Sequence, residues 1–204
     1  ITVEDPIEFV HQSHGCIVNH REVGLHTETF ASALRGALRE DPDIILVGEM
    51  RVLETIALAV EAASTGHLVF STRQTSSAYK TVDRVIEVFP SHEQPLIRST
   101  LSDGLRAVIA QTLFKRIDKK GRIVALEILI ANPAVRNLIR EGQTHQIPSM
   151  IQTGKKYGMV LLDDYIMELY KSNKISADEA YAKANEKAKF RPLLKSPPTD
   201  FTEV

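Results

Sequence analysis

Short apolar, β-branched runs alternate with amphipathic segments through the first half of the chain. The runs at residues 1–3, 44–47 and 68–71 have the length and composition of buried strands. Between them, apolar residues recur at helical spacing across residues 30–38 and 53–63. Parallel strands need such a crossover between them, so this order is typical of a mostly parallel sheet covered by helices. The sequence therefore predicts an α/β fold.

Two stretches of the chain do not follow this alternation of strands and helices. Residues 9–23 read as an irregular arm or a short hairpin set against the main sheet. A helix is predicted from about residue 78 to residue 89, where Pro90 stops it. Another helix is expected to follow Ser91, an amino-terminal cap with Gln94 three residues on.

Alternating apolar residues mark two further strands in the middle of the chain. They cover residues 107–113 and 123–130 and are joined by a polar turn at residues 118–121. Adjacent strands with a tight turn pair in an antiparallel way. We therefore expect an antiparallel edge on the sheet.

The remainder of the chain has helical periodicity from Asn132 onward. We predict an α/β domain over residues 1–130, incomplete at its amino end, and a helical domain over residues 131–190. A loosely ordered tail is expected over residues 191–204, because that segment is rich in proline and polar residues.

Composition and charge limit the partners, the membrane association and the cellular compartment expected for this chain. A net charge of -1 provides no global field for nucleic acid, so no nucleic-acid partner is expected. No run approaches the roughly 20 apolar residues that span a bilayer, so any membrane association is expected to be peripheral. The single Cys16 fits a reducing compartment, and we expect the cytoplasm. Because Ile1 opens the chain inside a strand-like run, we interpret the sequence as a fragment whose preceding part lies upstream.

Acidic residues follow two of the predicted strands. Glu4 and Asp5 come directly after the first strand, Glu8 lies slightly further on, and Glu49 follows the strand at 44–47. Ligands of open parallel sheets bind beyond the carboxyl ends of the strands. An apolar strand ending in an acid is also how P-loop ATPases place a carboxylate near magnesium or the attacking water. The pattern alone is weak, because many buried strands end in a solvated carboxylate.

Several separate blocks resemble one family. ITVEDPIE at residues 1–8 resembles the acidic box of the secretion ATPase superfamily, the motors of type II secretion and type IV pili. DPDIILVGEMR at residues 41–51 resembles its second nucleotide-binding motif, and TGHLVFST at residues 65–72 resembles the start of its histidine box. AVRNLIREG at residues 134–142 is similar to the helical signature of the retraction branch, the PilT family.

This resemblance implies a fold, an activity and partners. The fold would be a RecA-like P-loop NTPase core, partial in this chain, followed by a small all-helical carboxyl-terminal domain. Six identical chains would form a ring with ATP and Mg²⁺ at the subunit edges. The ring would drive pilus retraction and twitching motility against a pilus platform protein, at the inner face of the cytoplasmic membrane.

The resemblance also assigns roles to individual residues. Glu8 matches the glutamate taken as general base for water, and Glu49 matches the glutamate that helps to place Mg²⁺, through water. The nucleotide site would further include Glu4, Asp5, Arg51, His67, Gln74 and Arg84.

Three departures from the family pattern keep other interpretations open. Gln74 stands where the family has a second histidine, preceded by Arg73 in place of an apolar residue, and Val52 occupies a position that is commonly aspartate. No segment has the G-x-x-x-x-G-K-[S/T] spacing of the phosphate-binding loop, so this polypeptide alone is expected to bind and hydrolyse ATP poorly. The alternatives are a type II secretion or pilus-assembly ATPase, and a non-catalytic or truncated ring subunit without ATP turnover.

Two further groups of residues have simpler interpretations. Four histidines between residues 11 and 26 lack the spacing of a metal site and are interpreted as surface histidines. The basic residues between 115 and 122 are interpreted as the solvated face of a hairpin. Contact with a phosphate group is the less favoured interpretation.

Overall fold

The computed structural model describes residues 1–196. Of the loosely ordered tail predicted over residues 191–204, residues 197–204 lie outside the described residues, and Arg191–Leu193 form a short 3₁₀ helix. Within them the chain forms four strands of one sheet, a separate two-stranded hairpin and a series of α-helices. The predicted α/β class is confirmed.

The central sheet is parallel throughout. Its strands are β1 (Thr2–Glu4), β2 (His20–Glu22), β3 (Ile44–Val47) and β4 (Leu68–Ser71), in the spatial order β2-β1-β3-β4. The connections from β2 to β3 and from β3 to β4 contain helices α1 (Phe30–Ala37) and α2 (Leu53–Ser64). Three of the four strands and both crossover helices are those predicted from apolar periodicity.

The register of the sheet aligns the ends of three strands. Val3 of β1 pairs with Val47 of β3, and Val47 pairs in turn with Ser71 of β4. The residues that follow these strands therefore leave the sheet side by side. This alignment positions the candidate site described below.

The core beneath this sheet is built from branched strand residues and small helix residues. Val3, Ile45 and Val47 are fully buried, as is Leu34 of α1. Alanines on α1 and α2 complete the cluster and let the helix backbones approach the strands closely. The side chain of Thr29 caps α1 by accepting from the Ser32 backbone N–H at 3.0 Å.

The prediction for residues 9–23 is wrong at its carboxyl end. Strand β2 does not form a hairpin but adds to the sheet as a parallel edge strand beside β1. The Thr2 N–H donates to the Asn19 carbonyl at 2.8 Å, and the Val23 N–H donates to the Glu4 carbonyl at 2.9 Å. The polar sequence of β2 has no apolar alternation, so periodicity could not indicate a strand there.

Two helices follow the sheet, α3 (Ala78–Glu87) and α4 (Gln94–Gly104). The expected cap at Ser91 is wrong, because α4 begins at Gln94 with Glu93 as its cap residue. The Gln94 side-chain amide instead donates to the Phe89 carbonyl at 3.0 Å. Phe89 packs with Val85 against Ile56 of α2.

The predicted hairpin exists, but it is not an edge of the main sheet. Strands β5 (Ala107–Lys115) and β6 (Arg122–Ile130) pair with each other in a two-stranded sheet of their own. Gly121 has a φ of 118°, a left-handed conformation that glycine tolerates best, and it closes the turn. The Arg116 N–H donates to its carbonyl at 3.2 Å.

The remainder of the described chain is helical, as predicted. Its α-helices are α5 (Pro133–Arg140), α6 (Ile147–Thr153), α7 (Leu162–Lys171), α8 (Ala177–Lys183) and α9 (Lys187–Phe190). Phe114 and Ala125 of the hairpin join Ile166 of α7 and Phe190 of α9 in one buried cluster. No helix within residues 1–196 is long and apolar enough to cross a membrane.

Contacts divide the chain into two compact units. The first unit comprises Ile1–Gln74, Thr81–Leu105 and Arg136–Thr144, and the second comprises Thr75–Lys80, Arg106–Val135 and the chain from His145 onward. The first contains the parallel sheet, and the second contains the hairpin. The family domain boundary predicted at residue 130 stays a prediction.

Candidate functional site

The carboxyl ends of β1, β3 and β4 bring polar residues to one edge of the sheet. Glu4 and Asp5 end β1, Glu49 and Arg51 lie beyond β3, and Gln74 lies beyond β4. Because β1 and β3 are hydrogen-bonded neighbours, the two predicted acidic strand ends do meet at the same edge. This is where parallel α/β sheets bind their ligands.

The loops after β3 and β4 are held together by hydrogen bonds. The Met50 N–H donates to the Thr72 carbonyl at 3.1 Å, and the Thr72 hydroxyl donates to the Gly48 carbonyl. The Arg73 guanidinium donates through Nη1 to the Met50 carbonyl. The two loops therefore present their side chains as one surface.

Gly48 lets β3 approach β1 at this edge. Its N–H donates to the Val3 carbonyl at 2.7 Å. A Cβ at Gly48 would lie 3.2 Å from the Cα of Glu4 and 3.2 Å from the carbonyl oxygen of Val3. Such contacts are closer than most Cβ atoms make, so a side chain here would push the two backbones apart by a few tenths of an ångström, and the position favours glycine.

Glu49 is held in place by neighbouring donors. Its Oε2 lies 2.7 Å from Nη2 of Arg51, and its Oε1 accepts from the Gln74 amide at 3.4 Å. The hydrogen bond from Arg51 holds the pKa of Glu49 below its usual value, and the charge of Arg73 acts in the same direction. Glu49 is therefore a carboxylate at neutral pH, able to orient a cation or a water molecule.

Arg51 remains charged in this arrangement. Its hydrogen bond to Glu49 raises the pKa of Arg51, and the negative charge of Asp5 adds to the effect. Asp5 itself is exposed. The acidic end of β1 thus acts electrostatically on the loop that follows β3.

A cavity of about 570 Å³ opens at this edge. It is lined by Glu49, Met50, Arg51, Arg73, Gln74 and Arg84. Its volume is in the range of small-molecule sites. Because three guanidinium groups face one carboxylate, the cavity carries a positive excess and suits an anionic ligand.

Glu4 is buried and is not one of the residues that line the cavity. It is 6% exposed, and its Oε1 lacks a hydrogen-bond partner within the described chain. The nearest cationic candidate is Nδ1 of His20, 3.8 Å away. Its Oε2 accepts from the backbone N–H of Glu8 at 3.4 Å, so Glu4 anchors the segment that carries Glu8.

The structure does not bring every predicted site residue together. The Glu8 side chain is exposed and does not line the cavity, whereas Arg84 on α3 does. His67 precedes β4, where its Nδ1 lies 2.9 Å from the Ala62 carbonyl at the end of α2. A four-residue strand of roughly 13 Å separates it from the edge where Gln74 lies.

Arg73 and Met50 are cavity residues that were not assigned to the site from the sequence. The signal for Arg73 was present, because it lies between Thr72 and Gln74 directly after β4. Its contact with Met50 joins residues 23 positions apart, which no local pattern indicates.

The donor set limits how a divalent ion could be held. Among the described residues there is no group of three or more His, Cys, Asp or Glu side chains able to cage a metal. Mg²⁺ usually keeps several waters and uses one or two carboxylates with substrate phosphates. Glu49 fits that mode of contact, through water.

Comparisons with known proteins agree on one family. The model of the type II/IV secretion system protein family matches residues 1–192. The chain is 55% identical over 184 residues to the "Twitching motility protein" of Neisseria gonorrhoeae, covering 90% of this chain and 49% of that protein. It is 57% identical over 184 residues to the "Type IV pilus retractation ATPase PilT" of Pseudomonas aeruginosa, covering 90% and 53%.

A solved structure shows the same fold. The pilus retraction motor PilT with bound ADP superposes with a TM-score of 0.85 at 44% identity, over 92% of this chain and 53% of that one. The chain thus spans about half the length of the relatives it matches.

Proposed function

Because the chain belongs to the type II/IV secretion system protein family, we propose that it forms the carboxyl-terminal part of an ATP-hydrolysing motor that drives type IV pilus retraction and twitching motility. The similarity to retraction motors, at 55% and 57% identity, favours the retraction branch over pilus assembly or type II secretion.

One observation carries this proposal. The parallel sheet ends in an arginine-lined cavity with an ionised Glu49, and the PilT structure on which the chain superposes holds ADP. Phosphoryl transfer needs positioned charge more than covalent chemistry from the protein. A cavity with fixed cations and one carboxylate supplies such charge.

Within this motor, individual residues have distinct proposed roles. Glu49 orients Mg²⁺ through water, and Arg51 keeps Glu49 ionised and in place. Glu8 acts as general base for the attacking water; its exposed side chain is free to turn toward a bound nucleotide. ATP with Mg²⁺ is the proposed ligand pair, and the phosphates supply most of the magnesium ligands.

The proposed assembly is a ring of six identical chains. It engages a pilus platform protein at the inner face of the cytoplasmic membrane and associates with the membrane peripherally. In such a ring each nucleotide would lie at a subunit edge.

A chimera tests this function. Residues 1–196 would replace the aligned segment of P. aeruginosa PilT in a strain that lacks its own PilT. We expect the chimera to hydrolyse ATP and to restore twitching on agar, because the exchanged segment is similar over most of its length. A matched chimera with Glu49→Gln should not restore motility. A stable, ring-forming chimera without ATP turnover would contradict the proposal.

That last outcome corresponds to the second candidate function, a non-catalytic ring subunit. One observation favours it: Glu49 is engaged by both Arg51 and Gln74, and Gln74 cannot take up a proton as a histidine can. In a mixed ring with wild-type PilT, a non-catalytic chimera would assemble and lower turnover in proportion to its share.

A further inference from the structure

Arg73 is a cavity residue to which the proposed function assigns no individual role. It is half-buried, follows β4 directly, and crosses to the neighbouring loop, where its Nη1 donates to the Met50 carbonyl. A guanidinium has five N–H donors in a planar fork, so one contact to a carbonyl does not exhaust it. The charged guanidinium is thus anchored through one N–H at the lining of the cavity.

The charges around Arg73 determine what the cavity can accept. Arg51 and Arg84 line the same cavity, and their side chains are 71% and 67% exposed. Glu49 alone opposes them from the lining, and it is already bound to Arg51. Arg84 also lies 3.9 Å from Oε2 of Glu87, an exposed carboxylate outside the lining, so the lining itself keeps an excess of positive charge.

We propose that Arg73, together with Arg51 and Arg84, forms an oxyanion subsite that binds a phosphate-class group. Arg73 is its anchored member, because its contact with Met50 fixes it relative to the loop that carries Arg51. The geometry suits phosphate, since planar guanidinium groups donate paired hydrogen bonds to such oxygens. Assigning this group to the terminal phosphates of a nucleotide rests on the proposed function, but the oxyanion subsite itself does not.

The 204-residue chain can be tested directly with inorganic pyrophosphate. Titration would be followed by NMR of ¹⁵N-labelled protein, using backbone amides and the arginine Nε–H signals. We expect saturable shifts of Arg51, Arg73 and Arg84. Arg73→Gln keeps a polar side chain but removes both the charge and the reach of the guanidinium, so affinity should fall about tenfold, as expected for losing a charge-assisted hydrogen bond at a half-exposed site.

Two further variants separate charge from structure. Arg73→Lys retains the charge without the fork, and its affinity should lie between those of wild type and Arg73→Gln. Arg35→Gln removes the same charge from the first unit at an exposed arginine paired with Glu54, outside the cavity lining. Its affinity should change less than twofold. Each variant would be checked by its melting temperature.

Each possible result either supports or overturns the oxyanion subsite. No saturable binding to wild type, equal affinity in Arg73→Gln, or an equal loss in Arg35→Gln would overturn the subsite. Repeating the titration with Mg·ADP identifies the source of the anion. A loss in Arg73→Gln for both ligands assigns the subsite to nucleotide phosphate, and a loss for pyrophosphate alone assigns it to a free anion. Failure of the PilT chimera to turn over ATP would leave these measurements intact, so the two proposals fail separately.

Discussion

At the scale of single residues, Gly48 controls how closely β3 approaches β1. A methyl group there would meet the Glu4 backbone and the Val3 carbonyl at 3.2 Å. We expect Gly48→Ala to lower the free energy of unfolding by about 1–3 kcal/mol, the usual effect of overpacking. Urea denaturation followed by circular dichroism measures this loss. Gly15 has no atoms within 4 Å of its would-be Cβ, so Gly15→Ala is the matched control and should be nearly neutral.

Glu8 and Glu49 make separable contributions in the proposed motor. In the active chimera, Glu8→Gln should lower kcat by about 10²–10⁴-fold with little change in nucleotide affinity, because a general base acts in the transition state. Glu49→Gln should also raise the Mg²⁺ concentration needed for half-maximal rate. Steady-state kinetics with magnesium titration measures both. Glu54→Gln, an exposed carboxylate paired with Arg35, is the control. Unchanged magnesium dependence in Glu49→Gln would refute the role assigned to Glu49.

At the scale of secondary-structure elements, Glu127 on β6 links the starts of two helices. It is 3% exposed and accepts from the Ala78 N–H of α3 at 2.7 Å and the Leu162 N–H of α7 at 3.3 Å. Burial raises the pKa of Glu127 despite these hydrogen bonds, and the charge of Asp163 adds to the shift. A buried carboxyl that satisfies two helix ends is thereby sensitive to pH.

The sign of this pH dependence follows from linkage. Above pH 4.5, the ordinary pKa of a glutamate, the unfolded chain releases the Glu127 proton while the folded chain still binds it. The contribution of Glu127 to the free energy of unfolding therefore falls as the pH rises toward the pKa of the folded state. Glu127→Gln lacks this contribution. The unfolding free energy of wild type minus that of Glu127→Gln should therefore decrease between pH 4.5 and pH 7. A difference that is constant with pH in urea titrations would contradict the shift.

At the scale of the whole molecule, charge is segregated between the two units. The first unit contains nine arginines, no lysine and sixteen acidic residues, so seven negative charges are in excess. Within residues 1–196, the second unit contains sixteen Lys and Arg against eight Asp and Glu, an excess of eight positive charges. Asp200 and Glu203, outside the described residues, bring the net charge of the whole chain to -1, so this small net charge conceals two units of opposite net charge.

This segregation predicts that association of copies weakens with salt. Unlike charges on the first unit of one copy and the second unit of another attract, and the screening length shortens from about 10 Å at 0.1 M to about 3 Å at 1 M salt. Sedimentation of the PilT chimera should show a smaller oligomeric fraction in 0.5 M than in 0.05 M sodium chloride. Lys119→Gln with Lys120→Gln should reduce this salt dependence. Oligomerisation that is indifferent to salt would exclude an electrostatic contribution.

Much of the fold was predictable because its signals are local. The apolar runs of β3 and β4 and the helical spacing of α1 and α2 each lie within a dozen residues. The placement of Glu4 and Glu49 at one edge of the sheet followed from the direction of parallel strands, and the family followed from motifs of eight to eleven residues. The roles assigned to Glu8, Glu49 and the nucleotide-site residues stay predictions.

What the sequence alone determined was therefore the α/β class, the family and the edge of the sheet at which the acidic residues meet. Only the tertiary structure decided that β2 joins the sheet, that the hairpin forms a sheet of its own, and that Arg73 reaches Met50. The hydrogen bonds that join β2 to β1 and Arg73 to Met50 connect residues 17 to 23 positions apart, and the paired residues of the hairpin lie 7 to 23 positions apart. Backbone groups are alike at every residue, so their pairing carries no sequence pattern and is determined by which arrangement buries the core and satisfies them all.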